Sequence, residues 1–204
     1  MSNKKIVFCG CGPMGEGILG GLLNNNVVKA KDVTVNELLE VRRTYIAETY
    51  GVAAVENASD ALKAADLVII ATKQTGLEEA LEEMTPLVGP HTVLLSVMNG
   101  ITSEEAIARH FGDENLVWCV AIGMDAMREG TDLRYTQKGR PQIGAVSPRQ
   151  QPALEAVREF FERMPEDLRG GLHRRTFCKG EPVLLAGEEN RYIYMVERGT
   201  AMAW

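Results

Sequence analysis

The 204 residues include 22 Lys and Arg against 28 Asp and Glu, a formal net charge of −6. This acidic balance argues against nucleic acid as the main partner, because neutralising phosphates requires a basic surface. Hydrophobic residues make up 45% of the chain, enough for a core, yet no apolar run reaches the roughly 20 residues that a membrane span needs. The amino terminus leads into a short strand rather than a signal peptide, so we expect a cytoplasmic protein with no membrane partner.

The predicted elements of the first two thirds alternate between strands and helices. Predicted strands cover residues 5–9, 32–35, 52–55, 66–71, 92–97 and 117–121. Predicted helices cover residues 13–25, 38–50, 76–84 and 104–110, with a further helix through Lys63 that Asn57 or Ser59 caps. Gly51 is expected to end the second helix, and Ser103 to cap the last of the four. This alternation predicts an α/β fold with a doubly wound parallel sheet.

The pattern changes after Gly123. Residues 131–135 and 142–146 are predicted as two short strands around a turn at Lys138-Gly139. The polar, proline-bounded stretch 147–152 is the best candidate for a linker, and a helix over 153–163 follows it. Short apolar runs with polar turns then predict a small β-rich segment.

The four cysteines do not have the spacing of a metal site. Cys9 and Cys11 are one residue apart, where a mutual disulfide would be strained, and no second ligand pair follows them. With Cys119 and Cys178 they are expected to be free thiols in a reducing compartment. We therefore predict no metal.

The first strand leads into a glycine-rich turn that matches G-x-G-x-x-G: Gly10, Cys11, Gly12, Pro13, Met14 and Gly15. The pattern has meaning because it follows a predicted strand and opens a predicted helix. The first glycine permits the tight turn, the second lets the backbone approach a pyrophosphate, and the third lets helix and strand pack closely. The helix N-terminus then offers free N–H groups to the phosphates. The turn predicts binding of NAD or NADP by a Rossmann-type domain.

The end of the second strand bears on the choice of dinucleotide. Asn36 and Glu37 stand there, and an acid at this place binds the ribose 2′-hydroxyl and repels a 2′-phosphate. The helix dipole favours an acidic residue near the start of any helix, so Glu37 also has an explanation that involves no ligand. Arg42 and Arg43, further along, could reach a 2′-phosphate instead. The residues favour NAD slightly and leave NADP open.

Lys73 and Asn99 each follow the end of a predicted strand. Ligands of open α/β sheets bind at the carboxyl ends of the strands, so Ala71 and Thr72 are predicted beside the cofactor and Lys73 and Asn99 as catalytic candidates. A lysine there can polarise a carbonyl and an asparagine can orient a substrate. On the residues alone, a solvated lysine and an ordinary Asn-Gly turn are equally open.

The chain resembles two families of NAD(P)-dependent reductases. Residues 10–16, 20–23 and 65–73 resemble pyrroline-5-carboxylate reductase, whereas residues 99–105, 123–130 and 135–139 resemble ketopantoate reductase. The resemblance implies an oxidoreductase that reduces a small keto or imino acid, with Lys73 and Asn99 around the nicotinamide and substrate. It also implies a homo-oligomer.

Two departures from these families affect that expectation. Pyrroline-5-carboxylate reductases usually carry an arginine where Glu37 stands, which puts an NADP preference in doubt. Both families complete the site with a helical C-terminal domain, which in ketopantoate reductases brings a catalytic lysine and a substrate-binding acid. Only 57 residues follow Ser147, and most have no helical pattern. An incomplete active site is therefore expected in this chain.

The C-terminal residues resemble the first strands of a cyclic-nucleotide-binding domain, on residues 164–168, 174–181, 186–188 and 192–199. The predicted organisation is a Rossmann domain over 1–147, a linker and helix start over 148–157, and a partial cyclic-nucleotide-binding-like β segment over 158–204. This resemblance gives the alternative to a reductase: a dinucleotide-sensing module without turnover.

Overall fold

The computed structural model describes residues 4–61, 65–99, 102–124, 127–129, 132–134 and 138–163. The main sheet consists of β1 (Ile6–Cys9), β2 (Val33–Asn36), β3 (Ala53–Val55), β4 (Leu67–Ile70), β5 (Val93–Ser96), β6 (Leu116–Met124) and β9 (Lys138–Gly144), while β7 (Met127–Glu129) and β8 (Asp132–Arg134) pair as a separate hairpin. The described helices are α1 (Pro13–Asn24), α2 (Glu40–Tyr50), α3 (Leu77–Met84), α4 (Ser103–Phe111) and α5 (Gln151–Phe161).

The strand order of the main sheet is β3-β2-β1-β4-β5-β6-β9. β1 is paired in parallel with both β2 and β4, so Ile6 lies opposite Val33 on one side and Leu67 on the other. The chain runs outward from β1 in one direction through β3, then returns and runs outward in the other direction. The switch point between β1 and β4 is where ligands of such sheets bind. The predicted α/β, Rossmann-type parallel sheet is confirmed.

Alternating side chains of the strands build a core on each face of the sheet. Ile6 and Phe8 pack on the face covered by α1, α2 and α5. Val7 packs on the opposite face with residues of α3 and α4, including Leu81 and Ile107. A strand covered on both faces is almost wholly apolar, which is why β1, β4 and β5 are evident in the sequence.

Several predicted elements differ in detail. β6 is longer than expected, and Lys138 and Gly139 begin strand β9, which is antiparallel to β6, rather than forming a turn. A 3-10 turn at Ala58–Asp60 stands where the helix through Lys63 was expected, and its capping position, Asn57, makes no side-chain cap. Residues 62–64 lie outside the described part.

Ser103 does not cap α4, because it lies inside the helix and its hydroxyl bonds the side chain of Glu104. Gly51 does end α2, with φ +66° and its N–H bonded to the carbonyl of Ala47 at 2.9 Å. A left-handed residue at this position is ordinarily glycine.

The segment expected as a linker packs on the domain instead. Gln150 is fully buried, and its side-chain oxygen accepts the N–H groups of Val146 and Ser147 at 2.8 and 3.0 Å. α5 follows at once and places Leu154 and Val157 in the core against β6 and β9. Of the expected cyclic-nucleotide-binding-like segment over 158–204, residues 164–204 lie outside the described part. None of the described helices is long and apolar enough to span a membrane.

Candidate functional site

The glycine turn begins at Gly10, directly after β1. Gly10 has φ +78°, and a Cβ placed on it would lie 2.9 Å from the carbonyl oxygen of Ala71, which follows β4. Its N–H donates to the carbonyl of Asn36, at the end of β2, at 2.8 Å. The turn is thus fixed between the ends of β2 and β4, and this position requires glycine for both conformation and space.

The other two glycines of the motif have different surroundings. A Cβ on Gly15 would lie 3.2 Å from the Cβ of Ala71, so this glycine lets α1 approach the loop after β4. A Cβ on Gly12 would meet no atom of the described residues within 4 Å. Gly12 is also the N-cap of α1, which has Pro13 in its first turn and no side-chain cap. Within the part of the chain that the structure describes, no side chain therefore caps the N–H groups of the first helical turn.

Glu37, directly after β2, lies against the glycine turn. Its carboxylate accepts the N–H of Cys11 and the N–H of Leu39, each at 3.2 Å. Asn36, the other candidate at this strand end, is buried and used within the fold. Its amide donates to the carbonyl of Glu56 at 2.7 Å, and its oxygen accepts the thiol of Cys9 at 3.7 Å.

Both arginines of α2 are engaged by the protein. The guanidinium of Arg42 donates to the carbonyl of Cys11 from Nε at 3.1 Å and from Nη2 at 2.8 Å, and it pairs with Glu16 of α1. Arg43 donates to the carbonyl of Glu37 at 2.9 Å and pairs with Glu56 at 3.1 Å.

The described cysteines, Cys9, Cys11 and Cys119, are buried and free. Burial raises the pKa of Cys9, Cys11 and Cys119 to about 12 in each case. Cys9 ends β1, and Cys11 is part of the glycine turn itself. They fill the core as neutral groups and are poor nucleophiles at neutral pH.

Lys73 and Asn99 occupy neighbouring positions at the carboxyl edge of the sheet, which we call the Lys73–Asn99 edge. β4 and β5 are parallel partners with Ile70 opposite Ser96, and each candidate follows its strand by three residues. The hydroxyl of Thr72 bonds the sulfur of Met98 at 3.6 Å, which joins the two loops. Both candidate side chains are exposed, so the structure brings them to one edge and leaves them accessible.

Glu104 is a residue that the sequence did not single out. It is only 3% exposed; its carboxylate accepts the hydroxyl of Ser103 at 2.7 Å and the N–H of Cys119 at 3.4 Å. The hydroxyl of Ser96 bonds that of Ser103 at 3.0 Å and accepts the N–H of Met98 at 3.4 Å. This chain of bonds supports the turn that carries Asn99. In the sequence Glu104 resembles any acid in the first turn of a helix, and no signal distinguishes it from exposed Glu105.

The strand order, the glycine turn at the switch point and the uncapped helix behind it together define a dinucleotide-binding domain of the Rossmann type. The model of the family described as "Ketopantoate reductase PanE/ApbA" matches residues 6–148, and the chain belongs to this family. The family and the related pyrroline-5-carboxylate reductases are NAD(P)-dependent reductases.

Individual relatives are similar over parts of their length. Pyrroline-5-carboxylate reductase of Escherichia coli is 29% identical over 115 residues, which are 56% of this chain and 42% of that protein. The structure of 2-dehydropantoate 2-reductase from Geobacter metallireducens has a TM-score of 0.66 and 24% identity, covering 82% of this chain and 57% of that one. The structure of pyrroline carboxylate reductase from Plasmodium falciparum with NADP bound has a TM-score of 0.59 and 17% identity, covering 80% of this chain and 56% of that one. The chain spans about half the length of these relatives.

Proposed function

We propose that this chain binds NAD or NADP at its glycine turn and forms the cofactor-binding part of a reductase that acts on a small keto or imino acid. The observation that carries the proposal is the contrast between Gly10 and Gly12. Gly10 is fixed against Ala71 at the switch point of the sheet, whereas the space above Gly12 is open beside an uncapped helix. A pyrophosphate suits such a place, because backbone N–H groups and the helix dipole both favour an anion there.

The surrounding residues fit the rest of the dinucleotide. The carboxylate of Glu37, at the end of β2, is the acceptor that ribose hydroxyls need, and its charge disfavours a 2′-phosphate. Leu38 and Leu39 beside it are 63% and 68% exposed, an apolar surface that an adenine ring can cover. These features support NAD over NADP.

The Lys73–Asn99 edge is the place where we propose that the substrate reacts. When bound, the reduced nicotinamide supplies a hydride. The ammonium of Lys73 would stabilise the negative charge that develops on a carbonyl oxygen, and the amide of Asn99 would orient the reacting group by hydrogen bonds. Glu104, Ser103 and Ser96 would keep the Asn99 turn in position.

The proposed substrate class rests on the relatives, which act on a keto acid in one family and a cyclic imino acid in the other. Both kinds of substrate carry a carboxylate near the C=O or C=N bond that is reduced. Because both proposed catalytic side chains are exposed, we propose that a second chain, or residues outside the described part, closes the site around the substrate. This also leaves room for the predicted homo-oligomer.

The test has a binding arm and a turnover arm. The 204-residue chain is titrated with NADH and with NADPH by fluorescence, and then assayed for nicotinamide oxidation with a panel of 2-keto acids and cyclic imino acids. We expect saturable binding, and turnover that Lys73→Met or Asn99→Ala lowers by roughly 100-fold. Lys31→Met removes an exposed lysine elsewhere and should leave turnover unchanged. A folded chain that binds neither dinucleotide contradicts the proposal. Binding without turnover contradicts an active site that this chain completes by itself, and is the result expected of the sensing module or of a site that a different chain completes.

A further inference from the structure

An ion pair between α1 and α2 lies immediately behind the place proposed for the ribose. One carboxylate oxygen of Glu16 accepts a hydrogen bond from the guanidinium of Arg42. The other accepts hydrogen bonds from the hydroxyls of Tyr45 and Tyr50, each at 3.0 Å. All three donors come from α2. The side chains of Arg42 and Glu16 are only 13% and 19% exposed, so the pair is largely shielded from solvent.

Electrostatics keeps this carboxylate charged. Burial by itself would raise the pKa of Glu16, but the hydrogen bond and charge of Arg42, together with the two tyrosine hydroxyls, lower it below its ordinary value. The negative charge is therefore present at neutral pH. The guanidinium of Arg42 also lies over the ring of Tyr45, 5.2 Å from its centroid, which further limits its movement.

Arg42 is well placed along the chain to meet a 2′-phosphate. It lies in the first turn of α2, five residues after Glu37, and its guanidinium contacts the same residue of the glycine turn, Cys11, that Glu37 contacts. Arginine is the side chain that binds phosphate most readily. Here its donors are directed to Glu16 and to the Cys11 carbonyl instead.

We propose that Glu16 is a specificity-determining residue that holds Arg42 on the glycine turn and so withholds a cation from a 2′-phosphate. The inference rests on the proposed function and extends it to the choice of cofactor. Glu37 then presents its carboxylate to the ribose, while Glu16 binds the guanidinium of Arg42. NAD(H) is favoured by both acids, one directly and one through Arg42.

The decisive variant is Glu16→Gln, which keeps the shape of the side chain and removes its charge. We expect it to raise the affinity for NADPH relative to NADH by roughly fivefold, the scale of one partly exposed charge pair. The double variant Glu16→Gln/Arg42→Gln should lose that gain, because the released cation is what produces it. Glu48→Gln removes an exposed charge from the same helix and should leave the ratio of affinities unchanged.

The same titrations also separate the two proposals. If the folded wild-type chain binds neither dinucleotide, the proposed function fails. If it binds, but Glu16→Gln alters both affinities by the same factor, Glu16 has a merely structural role and the inference is overturned. Wild-type preference for NADPH also overturns it. Should Glu16→Gln not fold, Glu16→Asp keeps the charge, withdraws it from Arg42 and should shift the ratio in the same direction by a smaller factor.

Discussion

The glycine-turn half of the domain, from β1 through α2, uses its polar side chains differently from the Lys73–Asn99 edge. In the first region, Arg42 of α2 pairs with Glu16 of α1 and donates to the carbonyl of Cys11, and Glu37 accepts the N–H of Cys11. At the edge, Lys73 and Asn99 are exposed, and the support lies underneath them in buried Glu104. Under the proposed function, this contrast means that the cofactor site is preorganised within this stretch of chain, whereas the reacting end requires a covering segment.

The largest effect that sharpens this comparison concerns the buried thiols. Since burial raises their pKa from 9.0 to about 12, the thiolate fraction at pH 8 is about 1000-fold below that of an ordinary cysteine. In a Cys178→Ser background, a disulfide reagent at pH 8 should react with Cys9, Cys11 and Cys119 only after unfolding. Rapid reaction of Cys9 or Cys11 in the native protein would show that the glycine-turn region is not closed.

The same pKa shifts predict how stability depends on alkaline pH. The folded chain holds the three thiol protons more tightly than the unfolded chain does. Below pH 9 the thiols are protonated in both states, so they do not make the unfolding free energy depend on pH. It should decrease as the pH rises from 9 towards 12. Denaturant titrations at pH 8 and pH 10.5 measure this, and replacing Cys119 by alanine should reduce the difference between them.

The next effect separates two glycines of one turn. Gly10→Ala places a Cβ 2.9 Å from the Ala71 carbonyl at φ +78°, so we expect a loss of about 2–4 kcal/mol in unfolding free energy. The Cβ of Gly12→Ala meets no described residue within 4 Å, so the change should cost less than about 1 kcal/mol, the scale of losing a favourable N-cap residue. Chemical denaturation of both variants provides the measurement, and equal losses would contradict the distinct roles given to the two positions.

Glu104 tests the support beneath the Lys73–Asn99 edge. Glu104→Ala leaves the buried N–H of Cys119 and hydroxyl of Ser103 without their acceptor, so we expect a loss of about 2–3 kcal/mol. Exposed Glu105→Ala is the matched control and should stay within about 0.5 kcal/mol. Hydrogen exchange of the Met98 amide should also accelerate in the first variant alone. If it does not, the Asn99 turn does not depend on Glu104.

The smallest effect is expected at the edge itself. Lys73→Met and Asn99→Ala alter exposed side chains and should each change the unfolding free energy by less than about 0.5 kcal/mol. NADH binding should likewise change little, since the contacts proposed for the ribose and pyrophosphate lie at the other strand ends. A large loss of stability would mean that these residues serve the fold rather than the reaction.

The sequence predicted most of the fold because the parallel strands are apolar throughout and the helices are bounded by clear signals, such as Gly51. It misplaced Lys138 and Gly139, because a Lys-Gly pair has the composition of a turn whether or not it begins an edge strand. It also assigned the stretch around Gln150 to a linker, since a buried glutamine that bonds its own backbone cannot be told from a solvated one.

The site was predicted unevenly for the same reason. The glycine motif has a local signature, so the turn could be located from its spacing. The roles of Asn36, Arg42 and Glu104 depend on contacts between residues 15 or more positions apart. The sequence offered Arg42 as a ligand for a 2′-phosphate, whereas the structure pairs it with Glu16.

The most direct test of the account is a titration of the wild-type chain and of Gly12→Ala with NADH, with thermal unfolding of both recorded in parallel. We predict saturable binding by the wild type and binding weakened by about 1–3 kcal/mol, roughly 5- to 150-fold, in the variant, with an unfolding midpoint within a few degrees of the wild type. A folded wild-type chain that binds no dinucleotide, or a variant that binds as tightly as the wild type, would contradict the claim that this turn holds the cofactor.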